Sequence, residues 1–176
     1  MRGAVLLTLA ALGAASAGSA ADFTAPPRRA GLWKQTISSS KAGQAQPPMS
    51  STICMDAAVD KAMSVFGAGA GRQACASNTI TKTATGYRFA SVCQMGPSGT
   101  ISSQGVASGD FSKAYKVSMT SNTTGAAMAQ MNGASATEIS AVWAGPCPAD
   151  QKPGDMVLPG GMKMNMLSLM AAAPKR

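Results

Sequence analysis

In Lys113-Ala114-Tyr115-Lys116-Val117-Ser118-Met119-Thr120, the residues Tyr115, Val117 and Met119 fall on one side of an extended chain, and Lys116, Ser118 and Thr120 fall on the other. A period of two with one apolar side is the pattern of a half-buried β-strand. The same reading extends outward in both directions. Residues 137–144 align Ile139, Ala141 and Trp143; residues 87–94 align Tyr87, Phe89 and Cys93; residues 99–106 continue the pattern; and 79–83 is a polar strand candidate behind the turn at Gly86. Nearer the start, residues 32–38 put Trp33 and Ile37 on one face and Lys34 and Thr36 on the other. Segments this close in sequence leave no room for crossover helices, so neighbours pair antiparallel. The expected fold is mainly β, an antiparallel meander of about six strands curved into an open barrel or half-barrel.

One helix is predicted, near residues 56–66. Asp56 can cap it, and Val59, Ala62, Met63 and Phe66 recur at helical spacing before the Gly67-Ala68-Gly69-Ala70-Gly71 run stops it. That run has no phosphate-loop lysine and no strand before it, so it reads as linker. Residues 39–51, with Gly43 and Pro47-Pro48, read as loop.

The first 21 residues carry an export signal: Arg2, an apolar run over 4–12, then small residues over 13–21 offering cleavage after Ala20 or Ala21. The apolar run is shorter than the roughly 20 residues that span a bilayer, and no later segment is longer. The expected organisation is a signal peptide (1–21), a lead-in (22–28), one disulfide-stabilised β domain (29–147) and a Met/Pro/Gly-rich tail (148–176). The location is periplasmic or secreted.

Export makes disulfides the natural state of Cys54, Cys75, Cys93 and Cys147, because thiols persist only in a reducing compartment. Four cysteines allow three pairings. The preferred one is Cys54–Cys75 with Cys93–Cys147, the first bracketing the helix and the second tying a central strand to the end of the domain. A four-thiolate zinc site is disfavoured, since no C-x-x-C pair is present.

Aromatics are 5% of the chain, so the core must use small side chains, with disulfides supplementing it. The formal charge of +8 is spread without a basic stripe, which argues against nucleic acid as a partner. Weak attraction to anionic headgroups or acidic glycans remains open. The absence of histidine removes Ser-His-Asp, Cys-His and His-metal chemistry. Asp56 and Asp60, four apart on one helical face, could pair as acid and base, but read more simply as a cap and a charge near the helix N-terminus. No cofactor and no enzyme activity are expected.

The segment Arg29-Ala30-Gly31-Leu32-Trp33, the cysteine opening a helix at Cys54, Cys75 and Cys93, and the closing Gly145-Pro146-Cys147 resemble the family known as domain of unknown function 3617, small secreted or periplasmic proteins of Gram-negative bacteria. The resemblance spans 29–147 and implies location and cysteine pattern, with no substrate. Lys34 stands where an acidic residue would be usual, and the chain runs on past Cys147.

Three roles follow. The first is a non-catalytic envelope module binding a protein, lipid or surface polymer. The second is a carrier for a small apolar ligand, as small barrels can be. The third is a Cu(I) site built on Met162, Met164 and Met166, since thioethers select that ion. If the chain were an enzyme, Asp56, Asp60 and Tyr115 would be its candidates.

Overall fold

The computed structural model describes residues 27–63 and 74–172. The predicted export signal, most of the lead-in, the predicted end of the helix at Phe66 and the Gly67–Gly71 run lie outside them.

Among the described residues ten strands form one antiparallel sheet. They are β1 (Gly31–Lys41), β2 (Gln44–Ala45), β3 (Met49–Met55), β4 (Ala74–Thr83), β5 (Gly86–Gln94), β6 (Thr100–Asp110), β7 (Ala114–Thr124), β8 (Gly133–Gly145), β9 (Asp155–Val157) and β10 (Lys163–Asn165). The order across the sheet is β10-β9-β3-β1-β8-β7-β6-β5-β4, with β2 paired to β1, and the sheet does not close on itself. The predicted open, mainly β architecture is present, and β4 to β8 are a meander. All six predicted strands exist as β1, β4, β5, β6, β7 and β8. The first of them pairs with the last, since β1 lies beside β8.

Two expectations need correction. Residues 39–51 are largely strand: β1 runs on to Lys41, Ala42 and Gly43 turn with positive φ of 50° and 80°, and β3 begins at Met49. Serine, lysine and glutamine on both faces hid these strands, because alternation is visible only where one face is apolar. The domain also does not end at 147. Met156 pairs with Ile53 and is 9% exposed, and β10 follows on β9, so the tail completes the sheet edge.

Helix α1 (Ala57–Ala62) starts where Asp56 accepts from the Val59 N–H at 2.8 Å. Helix α2 (Met166–Ala172) is entered from Asn165, whose Oδ1 accepts from the Ser168 N–H at 3.0 Å. Both helices put apolar side chains against the same face of the sheet. Val59 is fully buried, and Met166 and Leu167 pack against the core.

That core answers the shortage of aromatics by concentrating them. Trp33 and Tyr115 have ring centroids 5.4 Å apart, Phe111 stacks on Tyr115 at 5.3 Å, and Tyr87 meets the edge of Phe111 at 5.9 Å. Alanines fill the narrow places between them, Ala107 at 0% and Ala141 at 2% exposure. The interior of the curve is therefore filled with side chains. Toward the other end of the same face, Ser91, Ser103, Ser121 and Ser135 stand directly opposite one another across β5 to β8 and are only half-buried.

The disulfides are Cys54–Cys147 and Cys75–Cys93, which corrects the preferred pairing. The reason is strand order. Cys75 and Cys93 are opposite residues of the β4–β5 hairpin. Leu32 of β1 has Cys54 on one side and Gly145 on the other, so the chain leaving β8 reaches Cys54 within two residues.

Candidate functional site

Most of the sequence-predicted residues serve the fold. Arg28 Nε donates to Asp60 Oδ1 at 2.5 Å, its own N–H donates to Asp60 Oδ2 at 3.1 Å, and its Nη1 donates to the Tyr115 hydroxyl at 3.0 Å. Burial opposes the Arg28 charge, but Tyr115 and Asp60 outweigh it and hold the guanidinium pKa above its usual value. Asp60 and Tyr115 are thus joined through one arginine, while Asp56 is engaged as the α1 cap.

The Arg29–Trp33 motif also has a structural account. The Trp33 and Trp143 indole N–H groups donate to the carbonyls of Arg29 and Ala30, at 2.8 and 3.0 Å, and the Arg29 guanidinium lies 3.6 Å from the Trp143 ring centroid. Gly31 adopts φ +130°, and a Cβ there would run into the Gly145 carbonyl and the Trp143 indole. The glycine lets the lead-in cross over the two tryptophans.

Of the three methionines considered for copper, Met164 and Met166 are half-buried against the core, while Met162 is 63% exposed. Met164 stands opposite Met156 in the β9–β10 ladder. Among the described residues, no group of three or more His, Cys, Asp or Glu is gathered to hold a metal.

The space that the core leaves is on the other face. Directly opposite residues of an antiparallel pair share a face, and the face changes with each residue along a strand. Two adjacent rows on the open face are Ser77–Val92–Ser102–Asn122–Ala134 and Ala90–Gln104–Thr120–Ala136–Ser40. They line an open trough of about 640 Å³, together with Gly43 and the backbone of Ser91, Ser103, Ser121 and Ser135, which runs between the two rows while its side chains point to the core face. No lining residue is charged and none is aromatic. Hydroxyls, two carboxamides and small apolar side chains are what it offers. A smaller space of about 460 Å³ lies at the opposite end of the strands, between the 83–87 turn and Phe111.

Sequence reasoning missed the trough because no motif marks it: its residues come from six strands and are individually unremarkable serines, threonines and alanines. The signal that could have found it is the lack of any apolar face in 100–104 and 120–124.

These features define a class: a single-layer antiparallel sheet with one filled face, two disulfides and an open, uncharged groove on its other face. The family described as "Protein of unknown function (DUF3617)" matches residues 28–147, and the chain belongs to it. No curated protein and no solved structure matches the chain.

Proposed function

We propose that this is a non-catalytic binding module of an oxidising compartment outside the cytoplasm, and that the trough holds its ligand. The observation that carries the reading is the trough lining, which can hydrogen-bond and pack but presents no ionised group to act as acid, base or nucleophile. Two disulfides and the export signal read from residues 1–21 support the compartment. Asp56, Asp60 and Tyr115 are each committed to the fold, which weighs against their use in catalysis.

A ligand matched to this lining is neutral and rich in hydroxyl or amide groups, such as a stretch of surface polymer or an extended peptide. Filling the trough tests it. The protein and its Thr120→Trp and Gln104→Trp variants, immobilised and exposed to envelope extract at low and high salt, should differ. The unmodified protein retains a component at both salts, and the filled variants lose it. Equal retention by all three, or retention by none, rejects the reading.

A second reading is favoured by Ala90, Val92, Ala134 and Ala136, which give the trough apolar ground for a small lipid-like ligand. Native mass spectrometry decides between the two by the mass that co-purifies and disappears in Thr120→Trp.

A further inference from the structure

The chain's charge is not evenly used. Among the described residues, Asp60 pairs with Arg28, Asp110 with Lys113 and Asp150 with Lys163; Asp56 caps α1, and Asp155 is held by Asn165 and the Lys152 N–H. Apart from Glu138, which is exposed on β8, the described carboxylates are bound up locally while most cations remain at the surface, so the excess of positive charge is presented outward.

On the open face this excess is ordered. Lys34 of β1, Lys116 of β7 and Arg88 of β5 are all exposed. Lys116 is opposite Ser140, which is opposite Thr36, two residues from Lys34. Arg88 is opposite Val106, which is opposite Ser118, two residues from Lys116. Each step is therefore two strands across and two residues along, in the same direction. Standard strand spacings put successive charges roughly 12 Å apart on a diagonal. Glu138 and, at the end of β6, Asp110 are the carboxylates on this part of the face, and Asp110 already has Lys113. Exposed apolar side chains sit among the cations: Val142, 55% exposed, is opposite Lys34, and Val106, 39% exposed, is opposite Arg88. Both described helices pack on the other face, so neither covers this array.

We propose that this face docks on an anionic lipid bilayer surface, with Lys34, Lys116 and Arg88 among the phosphates and Val106 and Val142 reaching the headgroup boundary. Cations alone would suit an acidic polysaccharide equally. Valines set directly beside the cations favour lipid, because a hydrated glycan offers them no apolar phase to enter. The trough lies on the same face, in the next two rows, so docking brings it against the headgroups.

The test is co-sedimentation of the full protein with vesicles containing phosphatidylglycerol, with phosphatidylcholine vesicles and soluble alginate in parallel. The expected result is binding to phosphatidylglycerol that falls as salt rises. Lys34→Gln/Lys116→Gln/Arg88→Gln should lose on the order of 100-fold, about fivefold per cation. Val106→Ser/Val142→Ser should weaken vesicle binding and leave alginate unaffected. A control with Lys61→Gln/Lys152→Gln, exposed cations on loop and helix, should bind as the parent does. Unchanged thermal melting of each variant shows that the fold is intact. Equal binding to phosphatidylcholine, equal losses in the control and the triple variant, or vesicle binding indifferent to both valines would overturn the proposal.

Discussion

Cys75 and Cys93 stand directly opposite each other on β4 and β5, and their disulfide ties the outermost strand of the meander to its neighbour. The tie falls where register is least defined. β4 carries Ser77, Asn78, Thr79, Thr81 and Lys82, most of them exposed, and polar strands without a distinct buried face are prone to slip. The ladder itself shifts register between Cys75 and Ser77.

Removing the two disulfides should therefore have different signatures. The 93-residue loop closed by Cys54–Cys147 is worth about 4.6 kcal/mol in the loop-entropy account, against about 3 for the 18-residue loop. Cys54→Ser/Cys147→Ser should lower the urea midpoint of the whole domain. Cys75→Ser/Cys93→Ser should instead speed amide exchange in 74–83 with a smaller global effect. Uniform acceleration over all strands in the second variant would contradict this assignment.

Asp60→Ala strips Arg28 of its carboxylate partner, leaving it the neutral Tyr115 hydroxyl, at a place where the Arg28 and Asp60 side chains are only 10% and 16% exposed. Leaving a charge unpaired there should cost about 3 kcal/mol. Asp56→Ala removes only the α1 cap and should cost about 1 kcal/mol. Urea denaturation of both variants checks the ratio, and equal losses would mean that the Arg28 contact contributes no more than a helix cap.

Gly105 lies in the row between Phe89 and Met119, and an added Cβ would come within 2.5 Å of the Phe89 ring and of the Ser118 carbonyl oxygen. Gly105→Ala should destabilise the domain by about 2 kcal/mol through overpacking. Pairing it with Phe89→Leu, which withdraws the ring, should recover part of that loss. A double mutant no better than the sum of the singles would assign the cost to the backbone contact alone.

The Asp155 side chain accepts from the Asn165 amide at 2.9 Å and from the Lys152 N–H at 2.8 Å, and these bonds hold its pKa below the ordinary carboxylate value. A folded-state pKa below the unfolded one gives stability that is fully present above the unfolded value, near 3.9, and lost as pH falls through the folded value. Thermal unfolding between about pH 5 and pH 2 should show this decline, and Asp155→Asn should be less steep there. Parallel curves for the two proteins would remove Asp155 as a source of acid sensitivity.

Legibility followed the range of the interaction. Tyr115, Val117 and Met119 announce β7 because alternation depends only on neighbours along the chain, and Asp56 with Val59 announces α1 for the same reason. Ser39 to Lys41 and Met49 to Ser51 did not announce themselves, since their strand state comes from pairing, the first with β8 and β2 and the second with Gln35 to Ile37 of β1. Asp60 showed as a charge near a helix start, but its partner Arg28 is 32 residues away. The trough was the least legible feature, as its lining is collected from distant segments and has no composition that stands out from the surface.

The amino-acid order by itself determined the mainly β character, the six longer strands, the short helix and the lack of imidazole chemistry, all of which rest on residue type and local period. Only the tertiary structure decided which cysteines meet, that the tail belongs to the sheet, and that Lys34, Lys116 and Arg88 fall on one diagonal. Each of these depends on the order and register of strands, which arise from how the whole chain buries Trp33, Tyr115 and Val59 together.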